Sequence, residues 1–244
     1  MVSQTQTKTS ELRAFDSLKA RGFLLSKQAY QENDLIVDLL LENKLRISAI
    51  VRGGQKSIKR FGGKLEPLQL LQFQLRTPPG IFSYERLFSL EAADVVEIYS
   101  GYRASWDALN EGLFYTELMR ELLLKGESEE WVFRSCLRIL KIANDLVLDR
   151  EALLWRKIYV WSYFAQQMGF GILGERGLLN DLLAEDFEEW KLLLLSDEIF
   201  SEKAICLLSK LSENVLDKKI FRDLYSDWIQ RSHLKCRSLE AFMS

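Results

Sequence analysis

The sequence predicts an α+β chain, a small five-stranded β-barrel followed by an all-helical domain. Three observations predict it. Between Gly22 and Leu90, short apolar-rich runs alternate with polar turns. Beyond Ala92 the apolar spacing becomes helical and no proline occurs. The charge balance also changes sign between the two parts.

The elements follow in order. Residues 1–20 read as a loosely ordered lead-in, with Leu12, Phe15 and Leu18 at the spacing of a short helix. Gly22–Ala29, Asp34–Leu41 and Leu45–Arg52 are consecutive strand-like runs, separated at Gln31–Asn33 and Glu42–Lys44. Leu65–Thr77 and Phe82–Leu90 supply two more, divided by the turn signal Pro78-Pro79-Gly80. Five strands in about seventy residues suit a small closed barrel such as an OB-fold. Helical patterns then run over Leu113–Leu124, Trp131–Asn144 and Arg150–Met168, the last closed by Gly169 and Gly171. Asp181–Leu195, Ser201–Leu216 and Lys218–Arg231 are three further helical patterns. The expected organisation is thus a lead-in over 1–20, a barrel over 21–91 and a helical bundle over 92–244.

Composition sets the class. The chain has 244 residues, 48% hydrophobic and 28% charged, which suits a globular protein and not a disordered one. A net charge of −2 conceals an uneven distribution. Residues 1–80 hold 13 Lys+Arg against 7 Asp+Glu, whereas residues 81–200 hold 12 against 22. A basic head on an acidic body points to a polyanionic partner for the head. No apolar run approaches the roughly 18 residues of a membrane span, and Met1–Lys8 lacks an apolar signal core. Three widely spaced cysteines, Cys136, Cys206 and Cys236, suit reduced thiols, so a cytoplasmic setting is expected.

Several chemistries are excluded by the residues present. The single histidine, His233, rules out a histidine-based triad or a multi-histidine metal site. Arg52-Gly53-Gly54-Gln55-Lys56-Ser57 lacks the glycine-to-lysine spacing of a phosphate-cradling P-loop. No Cys-x-x-Cys is present, and acidic groups such as Asp186, Glu188 and Glu189 read as a solvated helical surface. The expectation is a protein that is not an enzyme and holds no cofactor.

The positive signal lies between Asn43 and Leu65. Its charged residues are Lys44, Arg46, Arg52, Lys56, Lys59, Arg60 and Lys64, with no carboxylate among them. Gly53–Gly63 is rich in glycine and polar residues and is expected to be a mobile loop between strands. Such a loop can follow a phosphate backbone, and each neutralised phosphate releases counterions. Phe61, beside Arg60, is the expected exposed platform for an unpaired base, with Phe73 in the core and Phe82 and Tyr84 nearby. The plainer reading is a solvated basic loop.

A second feature is helical. Arg134, Arg138 and Lys141 recur at i, i+4 and i+7 and share a face. Near them in sequence stands an aromatic-rich helix with Trp155, Arg156, Lys157, Tyr159, Trp161, Tyr163 and Phe164. These residues read either as bundle core beside a solvated stripe or as a groove for an acidic, aromatic peptide. The stretch Arg231–Ser238 is basic too and would extend either surface.

These residues carry a family resemblance. Gly22-Phe23-Leu24-Leu25, Glu32-Asn33-Asp34, Arg52-Gly53 and Arg60-Phe61-Gly62-Gly63-Lys64-Leu65-Glu66-Pro67 resemble the N-terminal domain of the bacterial RecO recombination mediators. Leu113–Leu118, Met168–Gly171 and His233–Ser238 resemble later blocks of that family in the same order. The resemblance implies an OB-fold and a helical domain that bind single- and double-stranded DNA and anneal complementary strands. It also implies work with RecR in loading RecA onto strands coated by single-strand-binding protein. The acidic, phenylalanine-ending tail of that protein would dock on the helical domain. Many members carry a four-cysteine zinc motif after the glycines that match Gly169 and Gly171, yet Ile172–Asp181 contains no cysteine. The competing expectation is a helical interaction adaptor whose barrel has no nucleic-acid role.

Overall fold

Alternation of apolar and polar residues decides the barrel. In a computed structural model of the chain, which describes residues 17–77, 85–145, 150–169, 183, 186–195, 199–211 and 223, five strands close on themselves. They are β1 (Ser17–Tyr30), β2 (Asp34–Leu41), β3 (Leu45–Val51), β4 (Gln69–Arg76) and β5 (Phe88–Ile98). The hydrogen-bonded order is β2-β1-β4-β5-β3, and β2 also pairs with β3, which completes the ring. All neighbours are antiparallel except β3 with β5, which run parallel at Ala49↔Phe88 and Ile50↔Ser89. A closed five-stranded barrel with this pairing is an OB-fold.

Every second residue points inward. Val37, Leu39 and Leu41 on β2 meet Leu45, Ile47, Ala49 and Val51 on β3, with Leu71, Phe73 and Leu75 on β4 and Phe88, Leu90 and Ala93 on β5. Three register shifts adjust the closure, one between Leu24 and Ser26 and two where β4 meets β5, at Leu70/Leu71 and Gln74/Leu75. At Gly22 the chain leaves no room for a side chain, because a Cβ there would lie 2.4 Å from the Leu40 carbonyl oxygen.

The strand boundaries differ from the sequence reading in three places. β1 begins at Ser17, inside the expected lead-in. β4 begins at Gln69, four residues after the expected Leu65. β5 runs Phe88–Ile98 instead of Phe82–Leu90. The bulges let β5 continue past Glu91 and Ala92 while still presenting Ala93 to the core. The Pro78-Pro79-Gly80 turn, Phe82 and Tyr84 lie outside the described residues.

Beyond the barrel come a short 3₁₀ turn (Ser100–Arg103), α2 (Trp106–Leu122), a two-residue strand β6 (Gly126–Glu127), α3 (Glu130–Asp145), α4 (Arg150–Gln167), α5 (Phe187–Leu194) and α6 (Glu202–Leu211). A first helix, α1 (Ile58–Phe61), sits in the β3–β4 connection. The chain forms two compact units. One runs to Ile98 and takes in Leu123–Phe133; the other comprises Tyr99–Leu122 and the residues from Arg134 onward. Among the described residues, no helix is long and apolar enough to cross a membrane.

In the helical unit, α2 and α4 enclose a core of Phe114, Tyr115, Leu118, Ile158, Tyr159 and Phe164. Helix α4 is buried all round over residues 153–165, including Arg156 and Lys157, so it is a central helix of this unit. Trp190 of α5 stands edge-on to Tyr159 at 5.2 Å and to Trp155 at 6.2 Å. The helical pattern read at Lys218–Arg231, Asp223 alone excepted, and the basic stretch Arg231–Ser238 lie outside the described residues.

Candidate nucleic-acid interface

The acid-free segment forms the β3–β4 connection and the strand before it. Its conformation is set locally. Gly53 takes φ +65°, the left-handed region that favours glycine, and its N–H donates to Asp34 Oδ1 at 2.7 Å. Gln55 Nε2 donates to the Asp34 carbonyl at 2.9 Å, which ties the connection to the first residue of β2. The expected irregular loop contains a helical turn, α1, entered through the Ser57 carbonyl accepting from Phe61 N–H at 3.0 Å.

The structure sorts the seven cations. Arg46 is only 7% exposed, on the outer side of β3. Lys44 pairs with Glu130 at 3.1 Å and Lys64 with Asp94 at 2.8 Å. Arg52, Lys56 and Arg60 are exposed and have no ion pair among the described residues. Arg60 is nonetheless held: Nη2 donates to the Arg52 carbonyl at 2.8 Å and Nε to Ser57 Oγ at 3.2 Å. Its guanidinium lies 5.0 Å from the Phe61 ring centroid. The Lys59 side chain lies outside the described residues.

Phe61 corrects the sequence reading. It is 4% exposed and belongs to the barrel core, so it is no open platform for a base. The helical turn swings its ring inward against the barrel, while Arg60 faces solvent.

Beside this connection the barrel has a cavity of about 450 Å³. Lys27, Gln28 and Ala29 of β1, Gly54 and Gln55, and Gly62, Gly63 and Glu66 contribute to its walls. Lys27 Nζ donates to Glu66 Oε1 at 2.6 Å and to the Leu65 carbonyl at 3.0 Å.

The outer face of β2 and β3 is covered by the chain itself. Phe133 of α3 stacks on Phe23 at 5.2 Å, and β6 pairs with β3 at Leu45↔Glu127 and Arg46↔Gly126. Ser128 N–H donates to the Lys44 carbonyl at 2.7 Å. Beneath, Asp38 accepts from Ser48 Oγ and from Ser26 Oγ, with Lys125 Nζ 3.8 Å away. At the β2–β3 turn, Glu42 accepts from Arg21 Nε at 2.8 Å, and this hydrogen bond holds its carboxyl below the usual range.

The expected peptide groove does not form. Trp155, Arg156, Lys157 and Tyr159 are buried, none more than 2% exposed. Arg156 donates from Nε and Nη2 to the two oxygens of Glu111, both at 2.5 Å. Tyr115 donates to the same carboxylate at 2.6 Å, and Lys157 Nζ donates to Asn110 Oδ1 at 2.7 Å. Burial opposes the Arg156 charge, but Tyr115 and Glu111 outweigh it and raise its pKa. Burial also pushes up the hydroxyls of Tyr115 and Tyr159. These groups serve an interior network. Arg134, Arg138 and Lys141 do sit exposed along α3, and Arg138 Nη2 donates to the Phe200 carbonyl at 3.0 Å. Sequence reasoning missed Asn110 and Glu111, the polar pair within the apolar stretch of α2 that receives the α4 cations.

A closed OB barrel bearing a cationic β3–β4 connection, joined to an all-helical unit, defines the class of protein. Residues 16–99 match the family model described as Recombination protein O N terminal. The chain is 32% identical over 117 residues to the DNA repair protein RecO of Geobacter sulfurreducens, covering 48% of this chain and 46% of that one. It is 33% identical over 112 residues to the RecO of an Anaeromyxobacter species, covering 46% and 42%. Against that of Geobacter metallireducens it is 29% identical over 139 residues, covering 56% and 54%. The chain spans about half the length of the curated relatives it matches. The barrel is a RecO N-terminal domain, and over about half its length the chain is similar to RecO proteins.

Proposed function

We propose that this protein acts in DNA repair and recombination as a DNA-binding mediator, without catalysis of its own. The observation that carries the reading is the trio Arg52, Lys56 and Arg60. They are exposed, unpaired with any described carboxylate and gathered on one short connection of an OB barrel. The names of the matched relatives, each a DNA repair protein, point the same way.

Physically, strand annealing needs no nucleotide hydrolysis. Two strands repel through their phosphates, and a cationic surface that holds both lowers the barrier while pairing and stacking drive the reaction. In this reading the protein binds single- and double-stranded DNA and works with RecR to load RecA onto strands coated by single-strand-binding protein. The reading needs no cofactor, since annealing is driven by pairing and stacking. The acidic tail of single-strand-binding protein would meet the exposed Arg134, Arg138 and Lys141, since the aromatic residues of α4 are inside.

The test is fluorescence anisotropy with a labelled single strand over a salt series. Replacing Arg52, Lys56 and Arg60 together with Ala should weaken binding and reduce the slope of log K against log salt by about 2, since each phosphate contact on a single strand contributes about 0.7. A folded wild-type protein that binds no strand in about 50 mM salt would overturn the reading in favour of a protein-binding adaptor.

A further inference from the structure

An OB barrel ordinarily meets an oligonucleotide on the face of its second and third strands. Here that face is closed from within the same compact unit. Of the outward residues of β2 and β3, Leu40, Arg46 and Ser48 are buried and Ile36, Asp38 and Ile50 half-buried. Phe133 on Phe23, β6 on β3, Lys44 with Glu130 and Lys125 near Asp38 hold the cover in place. A strand cannot lie there while these contacts stand.

The open site is the cavity beside the cationic connection. We infer that it takes one unpaired base of a single strand, whose phosphates run outside it past Lys56 and Arg60. This rests on the nucleic-acid reading above and gives that reading a specific seat. At about 450 Å³ the cavity lies within the roughly 300–1,000 Å³ of small-molecule sites and has room for a base.

Its walls suit a base better than a phosphate. Gly62 and Gly63 contribute no side chains, and a Cβ at Gly63 would have nothing within 4 Å, so a flat ring can approach the backbone there. Leu35, half-buried, gives apolar surface, and Phe61 and Leu65 of the core lie behind it. Glu66 and Lys27 form an ion pair at the wall, so it carries no net charge to hold a phosphate, while the Glu66 carboxylate still accepts hydrogen bonds. Gln55 is oriented by its Nε2 bond to Asp34, which leaves its amide oxygen as the acceptor at the wall. Each of the four bases has an N–H on its pairing edge for such acceptors. That edge is available only when the base is unpaired, so the pocket discriminates single strands from duplex.

The test uses the full chain and two labelled probes of about fifteen nucleotides, an oligothymidine and an abasic strand of equal length. Both carry the same phosphates, so their affinity ratio isolates the base. The wild type should favour oligothymidine about tenfold, the scale of one stacked base. Ala29→Trp fills the cavity from β1 and should bring the ratio to about one. Gly62→Trp fills it from the opposite wall, at a residue without positive φ, and should do the same. The second variant decides the matter if the first does not fold, with circular dichroism as the check. A tenfold ratio that persists in a folded occluded variant overturns the pocket, as does a wild-type ratio of one. A wild type that binds neither probe overturns the nucleic-acid reading itself.

Discussion

Arg156 and Glu111 form a buried ion pair with exposures of 2% and 1% for their side chains. The pair is completed by the Tyr115 hydroxyl, so the carboxylate receives three hydrogen bonds in a dry interior. Breaking such a pair from one side leaves the other charge buried and unmatched, which costs about 3–5 kcal/mol, whereas replacing both by apolar groups of similar size is often neutral. Arg156→Met should therefore lower the urea midpoint sharply, and Arg156→Met with Glu111→Leu should recover most of the loss. A mild effect of the single change would mean that water reaches the carboxylate. The sequence presented Arg156 as a cation beside aromatics, and nothing in that local pattern separates a binding groove from an interior. The separating signal was remote: Asn110-Glu111 lies more than forty positions away and becomes a partner only when α2 packs on α4. Phe61 misled for a related reason. Its neighbours Arg60 and Gly62 are exposed, yet the turn of α1 sends the residue between them inward.

At the scale of elements, strands were more legible than their ends. β3 alternates from Leu45 to Ala49 and β2 sends Val37, Leu39 and Leu41 inward, so a one-residue slip would expose the core face, and both strands fall where the pattern puts them. β5 was placed too early because Phe82 and Tyr84 have high strand propensity, while the true strand runs through bulges that interrupt its alternation. Gly22 shows how closely β1 and β2 approach. Its Cβ position lies 2.4 Å from a carbonyl oxygen and 2.9 Å from Leu41 Cδ2, and a backbone atom cannot swing away. Overpacking of this kind costs about 1–3 kcal/mol, and contact with the main chain puts Gly22→Ala at the upper end. Urea denaturation should show a lower midpoint at constant slope. An unchanged midpoint would mean that the β1 bulge absorbs the methyl by a small shift.

At the scale of the whole molecule, the order of strands then helices was legible, but the composition of the compact units was not. Residues 123–133 fall beyond α2 in sequence yet belong with the barrel. Their sequence has no strand pattern, since β6 is two residues long and owes its conformation to pairing with β3. This return of the chain is what seals the β2–β3 face, and it makes a prediction about dissection. A fragment ending at residue 98 keeps all five barrel strands but loses Phe133 over Phe23, β6 on β3, and the buried Leu123 and Val132. Phe23 and Leu40 would then meet water, and the backbone groups of Leu45 and Arg46 that β6 satisfies would be open to a second chain. The fragment should bind the dye ANS strongly and self-associate in a sizing column, while the full chain does neither. A monomeric, dye-silent fragment that melts cooperatively would show that the barrel closes its own face without the returning segment. In that case a strand could lie on the β2–β3 face once the segment lifts. The anisotropy ratio of the occluded pocket variants would then be measured on the fragment as well, to learn which face a single strand takes when both are open.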